Sequence, residues 1–236
     1  MLYRLLVVFC CCIFFSSQAS AFVVDKMLIV SDSKGNGLIT LNNDEEKSIF
    51  VQSFIEEIAV NDSGNIVKTK YTPENISEWK ISMTNYRLIM KPGEIKDIGI
   101  RSLCNNVSCD TSRDLMFSLP FIPSTYVEAG EQVSDMNVNF GFSPVYIIPA
   151  VEAKIDYDIH RDGNELVINN KSNTLINIYV NACSSKVDSQ CKKQFLVVTG
   201  RKKSFTLPES FRNKKLDVTV TSHDKKFSRK LVLQGG

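Results

Sequence analysis

Met136-Asn-Val-Asn-Phe-Gly-Phe-Ser-Pro-Val-Tyr-Ile-Ile-Pro149 is the stretch on which the reading of this chain turns. Met136, Val138, Phe140 and Phe142 fall on one face of an extended strand, and Asn137, Asn139, Gly141 and Ser143 fall on the other. Strict alternation of this kind marks a β-strand with one apolar face. Two readings are open. The stretch is a half-buried strand of a β-sandwich, or it is an edge strand that offers its apolar row and its free amides to another protein. Pro144 has no amide hydrogen, so pairing should weaken there and a donating segment would be confined to Met136 through Phe142.

Upstream, short apolar runs alternate with turns. Strands are expected over Phe22–Val30, Leu38–Leu41, Ser48–Ile58, Glu78–Met83, Tyr86–Met90 and Ile95–Leu103, and again where Leu115, Phe117, Leu119 and Phe121 alternate. Ser31 to Gly37, Asn61 to Gly64 and Lys91-Pro92-Gly93-Glu94 read as turns. Downstream, Pro149-Ala150 breaks the pattern. A second series follows over Lys154–His160, Glu165–Asn169, Leu175–Asn181, Gln194–Thr199, Lys203–Leu207, Leu216–Thr221 and Phe227–Leu233. Many short strands at this spacing, without a clear amphipathic helix, predict an all-β fold of two tandem immunoglobulin-like sandwiches. The predicted boundaries are a signal peptide over 1–21, a first domain over 22–149 and a second over 150–236.

The first of these segments rests on Arg4, an apolar run from Leu5 to Phe15, and Ser-Ser-Gln-Ala-Ser-Ala ending at Ala21. A positive start, a short apolar core and a small-residue end specify export, and the run is too short to span a bilayer. Without Arg4, 27 basic residues face 26 acidic ones, a net charge near +1. No basic helix or stripe points to nucleic acid. Outside the signal the cysteines are Cys104, Cys109, Cys183 and Cys191. Their spacing favours the compact pairs Cys104–Cys109 and Cys183–Cys191, each stabilising by about 2–3 kcal/mol. Zinc is the competing reading, but the spacing is not that of a tetrahedral site and no histidine lies near. His160 and His223 sit among charged residues, and no nucleophile–base order or phosphate loop appears. An enzyme, a cofactor and a metal are therefore not expected.

Several segments together resemble the PapD-like periplasmic pilus chaperones. Val24 to Asp32 resembles their first strand. Ile39-Thr40-Leu41-Asn42-Asn43 followed by Ile49 to Glu56 resembles the second, and Tyr86 to Gly93 through Ile100-Arg101 resembles their Leu-x-Pro-Gly…Ile-Arg segment. Leu119-Pro120-Phe121-Ile122-Pro123 resembles the end of the sixth strand, which makes Met136–Pro149 the seventh. In the second series, Asn169 to Asn173, Tyr179 to Cys183 and Cys191-Lys192-Lys193 follow the order of the divergent, common-pilus branch. The resemblance implies an L-shaped molecule with a cleft. It also implies a chaperone that donates Met136, Val138, Phe140 and Phe142 to pilus subunits and hands them to an outer-membrane usher.

One departure is informative. The family holds the subunit's terminal carboxylate with two basic cleft residues, and Leu28 and Pro144 stand at those positions here. Lys26, Arg113 and Lys154 are the candidate replacements. Two other readings stay open: a pilus subunit or adhesin that receives a strand, and a secreted immunoglobulin-like binding module. A subunit would carry an N-terminal donor peptide and lack its last strand, whereas this N-terminus leads directly into a strand.

Overall fold

The computed structural model describes residues 21–61, 63–126, 140–183 and 191–235. Residues 1–20 of the expected signal peptide, Met136 and Val138 lie outside these residues. The first half holds β1 Phe22–Val24, β2 Leu28–Val30, β3 Gly37–Asn43, β4 Ile49–Ser53, β5 Glu56–Val60, β6 Ile66–Lys70, β7 Ile81–Met83, β8 Arg87–Met90, β9 Ile95–Ser102, β10 Leu115–Ser118, β11 Phe121–Thr125 and β12 Val145–Ile148. The second holds β13 Tyr157–Asp162, β14 Glu165–Asn170, β15 Ile176–Asn181, β16 Lys192–Val197, β17 Lys202–Thr206, β18 Leu216–Ser222 and β19 Ser228–Leu233. The helical content among the described residues is two short 3-10 turns, Pro73–Glu78 and Glu209–Phe211.

The ladders fall into two sets. In the first half the sheets run β1-β3-β9-β7, β2-β12-β10-β5-β6 and β11-β4-β8; in the second they run β13-β14-β17 and β16-β15-β18-β19. No ladder joins the halves among the described residues, and each half has its own core: Ile39, Ile49, Phe117, Phe121 and Tyr146 in one, Leu166, Ile178, Phe211 and Val218 in the other. These are two immunoglobulin-like sandwiches in tandem, an all-β molecule.

Three of the expected long strands are broken where the chain changes sheet. Phe22–Val30 divides: β1 pairs β3 antiparallel, while β2 crosses to pair β12 in parallel. Ser48–Ile58 divides at Phe54-Ile55 into β4 and β5, and the Leu115–Phe121 run divides at Leu119-Pro120 into β10 and β11. The last two breaks lie side by side, because β5 pairs β10 and β4 pairs β11. The sequence did not reveal β6 at all.

Each half turns a corner on one buried asparagine. Asn43 ends β3, and its amide nitrogen donates to the carbonyls of Lys47, Met90 and Lys91, each at 3.0 Å. Asn170 ends β14 and donates to Thr174 O at 3.0 Å and Val197 O at 2.9 Å, while its oxygen accepts from Ser172 N–H. Both side chains are fully buried. An alanine there strands several buried carbonyls and one amide, each of which costs about 1–3 kcal/mol when unpaired. Asn170→Ala should therefore cost about 2–4 kcal/mol of stability in urea unfolding, and exchange-rate mapping should place the loss in the β14–β16 region. A neutral result would mean that solvent reaches this corner.

Candidate functional site

The seventh strand is held firmly at one end and barely at the other. Val145 to Ile147 pair with β10 on one side and with β2 on the other. The last contact on the β2 side is Val145 N–H to Met27 O, 3.0 Å. Before that point β1 has moved to the opposite sheet, so nothing replaces it. On the other side Pro144 O accepts from Leu119 N–H at 2.9 Å, and Phe142 exchanges two backbone bonds with Phe121, at 2.7 and 3.0 Å. Among the described residues the ladder goes no further. Antiparallel register would next set Phe140 against Pro123, which has no amide hydrogen to give.

Over residues 140–144 the flank vacated by β1 is thus an open edge among the described residues. Gly141 and Ser143 are exposed, and among the described residues neither has a backbone hydrogen bond to a neighbouring strand. Gly141 is required for the close approach: a Cβ there would lie 2.9 Å from Phe121 O. The two aromatic residues of the row part company. Phe142 is half-buried against the first core, its ring 6.0 Å from that of Phe22. Phe140 is 76% exposed, a large apolar side chain left uncovered among the described residues. Behind this edge Ser143 Oγ lies 2.6 Å from the buried Ser118 Oγ. Lys68 donates to Ser118 Oγ at 3.4 Å and pairs with Glu56 at 2.6 Å, so its charge is already met.

The two halves meet across an apolar seam of Met116, Ile147 and Leu175, flanked by Ile58, Val60, Leu196 and Val198. Arg201 adds a bond to Gly64 O. A cavity of about 980 Å³ opens between the 31–36 turn, the 148–151 connection and the His223–Lys226 hairpin, and one of about 480 Å³ lies between β5 and the 171–173 turn. Arg113 lines both, and its guanidinium is 3.3 Å from Asp110. Lys26 and Lys154 line neither. Lys26 is exposed and pairs with Asp25 at 3.0 Å, and Lys154 is exposed beside Asn173. The three candidate anchors are thus not brought together. Two disulfides are present, Cys104–Cys109 and Cys183–Cys191.

Sequence reasoning missed Asp114. It is 4% exposed and its carboxylate accepts from Ala150 N–H at 3.0 Å and Leu175 N–H at 2.7 Å, tying the first half to the connection and to the second. Burial pushes its carboxyl above the usual carboxylate range, and the two amides pull it back only in part. Asp224, on the exposed hairpin at the cavity mouth, goes the other way: the Ser222 hydroxyl and the Lys226 amide hold it down to about 2.

Residues 24–149 match the family described as the CS5 fimbrial protein N-terminal domain. The chain belongs to this family. The match runs from the last residue of β1 past the end of β12 and so contains the open edge. An uncharacterized 25.9 kDa protein in the CS5 3' region of Escherichia coli is 24% identical over 179 residues, 75% of this chain and 76% of that protein. Among solved structures, the class 5 fimbriae chaperone CfaA superposes with a TM-score of 0.55 at 12% identity, over 91% of this chain and 99% of that one. A chain from the Salmonella enterica SafA pilin–SafB chaperone complex superposes with 0.54 at 11% identity, over 93% and 98%. At these identities the shared property is the fold, including the tandem arrangement of this fimbrial family member's two sandwiches.

The Asp114 carboxyl makes a signed prediction. Its folded value lies above its unfolded one, so the folded state holds the proton more tightly. The associated stabilisation is complete below the unfolded value and falls as pH rises through the raised folded value. Asparagine cannot titrate and sets an NH₂ against one of the two amides. Asp114→Asn should therefore cost about 1–3 kcal/mol, with a larger deficit in urea unfolding near about pH 3 than near about pH 7. A deficit that grows with pH would show that the two amides outweigh burial.

Proposed function

We propose that this chain is a periplasmic chaperone that binds fimbrial subunits by lending them its seventh strand. The observation that carries the reading is the open edge at Gly141 and Ser143 beside the exposed Phe140. Backbone donors and acceptors without partners, next to a bare aromatic ring, are the surface that β-augmentation needs. Family membership supports the fimbrial setting, and the fold is that of solved fimbrial chaperones. An incomplete subunit sandwich exposes apolar core where a strand is missing. A row at alternate positions fills that groove, each residue contributing about 1.5–3 kcal/mol before ordering costs.

In this account Phe142 roots the strand in the chaperone's own core while Phe140 enters the subunit, followed outward by Val138 and Met136. The first half, 22–149, is the donor domain and 150–236 the second wall. Arg113, on both cavity walls, is better placed than Lys26 or Lys154 to meet a subunit carboxylate. The signal peptide over 1–21 delivers the chain to the periplasm, and an outer-membrane usher receives the subunit by strand exchange without ATP. A strand-receiving subunit fits less well, because the first core is closed over Ile39, Phe117, Phe121 and Tyr146.

Phe140→Glu separates donation from folding. The ring is exposed in the free protein, so the variant should unfold within about 0.5 kcal/mol of the parent, as exposed substitutions do. Bound, the carboxylate would be buried unpaired, which costs several kcal/mol. Co-purification of the fimbrial subunit encoded beside this chain should be lost. Retention of the subunit by a folded variant would show that another surface binds it, and unfolding of the free variant would show that Phe140 belongs to the core.

A further inference from the structure

Residues 103–114, between β9 and β10, carry a run of polar contacts to the other half. Thr111 O accepts from Val151 N–H at 3.1 Å, and Ser112 O accepts from the Asn173 amide at 2.6 Å. Asp114 donates its N–H to Asn173 O at 2.9 Å, and its carboxylate takes the Ala150 and Leu175 amides. Asn173 in turn holds Glu152 O at 2.8 Å. Three residues of one loop thus grip both the connection between the halves and the turn that opens β15.

The grip depends on the shape of a span with two fixed ends. One end is Leu115, the first residue of β10. The other is the Cys104–Cys109 disulfide, both of whose residues pack on the first core. Leu103 N–H bonds Lys80 O at 2.8 Å, which fixes the root of the loop to the sandwich. Just beyond Cys109, Asp110 accepts from Ser112 N–H at 2.9 Å and Ser112 Oγ at 2.5 Å and pairs with Arg113. With the disulfide closed, only residues 110–114 lie between the two fixed points. With it open, the span between fixed points grows to 104–114, and the entropy of holding 111–114 in one shape rises.

We propose that the Cys104–Cys109 disulfide positions the two halves of the molecule, and through them the subunit-binding surface, by holding residues 110–114 as an interdomain latch. The client part of this rests on the chaperone reading above; the latch itself does not. The second disulfide, Cys183–Cys191, joins the end of β15 to the chain entering β16 and touches none of these contacts, so it is an internal control. In an oxidising compartment the latch is set. A dithiol reductant breaks the Sγ–Sγ bond, supplying two electrons and two protons to give two thiols and closing to its own disulfide.

The test uses the full chain as the Cys104→Ser/Cys109→Ser double variant, with Cys183→Ser/Cys191→Ser as control and the parent reduced by dithiothreitol as a second route to the open state. Amide exchange is read at Ala150 and Leu175, whose N–H groups end on Asp114, and circular dichroism reports the sheets. With the first disulfide open, exchange at both amides should speed by about tenfold or more while the sheet signal holds. Co-purification of the fimbrial subunit encoded beside the chain should fall severalfold, and the control should change neither reading. Unchanged exchange at Ala150 and Leu175, in the variant or in the reduced parent, would overturn the latch whatever becomes of the client. Faster exchange with full subunit retention would overturn the link to binding. Loss of donation through Phe140 would leave the exchange reading intact, so the two ideas fail separately.

Discussion

The departure of β1 to the opposite sheet sets the character of the molecule. Phe142 exchanges two bonds with Phe121, but the next step of the same ladder lacks one of its two donors, the amide that Pro123 does not have. On the opposite flank the first strand has left for the other sheet, and β2 rejoins only at Met27. Gly141 and Ser143, whose backbone groups face that flank, therefore lie on an unclaimed edge among the described residues. Free edges invite pairing with other chains, and proteins usually blunt them with charge or cover them. This one carries glycine, serine and an exposed phenylalanine, a composition that leaves it accessible. Its firm root in β10, β2 and the Phe22 contact keeps it from unravelling the sandwich.

The second half supplies a partner for that edge to work against. The apolar seam at Met116, Ile147 and Leu175 sits behind the rooted part of the same strand, so the strand that offers itself at one end is clamped between domains at the other. Hydrophobic contact gives the seam its affinity but little direction. Direction comes from the polar contacts, above all Asp114, which satisfies two backbone amides that would otherwise be buried without partners. The cost is a buried carboxylate, visible in its raised pKa. That cost is repeated nowhere in the exposed hairpin, where Asp224 is stabilised instead.

The two-sandwich plan was legible because period-2 runs and turn residues are local signals. Alternation at Leu115, Phe117, Leu119 and Phe121 identified a strand, yet it continues unbroken across Pro120, where the chain changes sheets. Sheet switching at Asp25–Met27 and Phe54-Ile55 was hidden for the same reason, since the side chains keep their period while the partners change. β6 was invisible because Ile66-Val-Lys-Thr-Lys70 is exposed throughout and so shows no buried face. At the site, the apolar row announced itself, but the division between a rooted Phe142 and a free Phe140 depends on Pro123 and Phe22, far away in sequence. Asp114 gave no signal, because an acid in a Ser/Thr/Asn-rich loop looks solvated. Its role arises only when Ala150 and Leu175 are brought to it.

The central claim is that the 140–144 edge is open in the free protein and is filled by a strand of the client. Amide exchange at Gly141 and Ser143 measures this directly, with and without the co-purified fimbrial subunit. The account predicts fast exchange at both positions in the free chain and strong protection in the complex, with the amides of Val145 to Ile147 protected in both. Protection of Gly141 and Ser143 already present in the free chain, or exchange unchanged by the bound subunit, would contradict it.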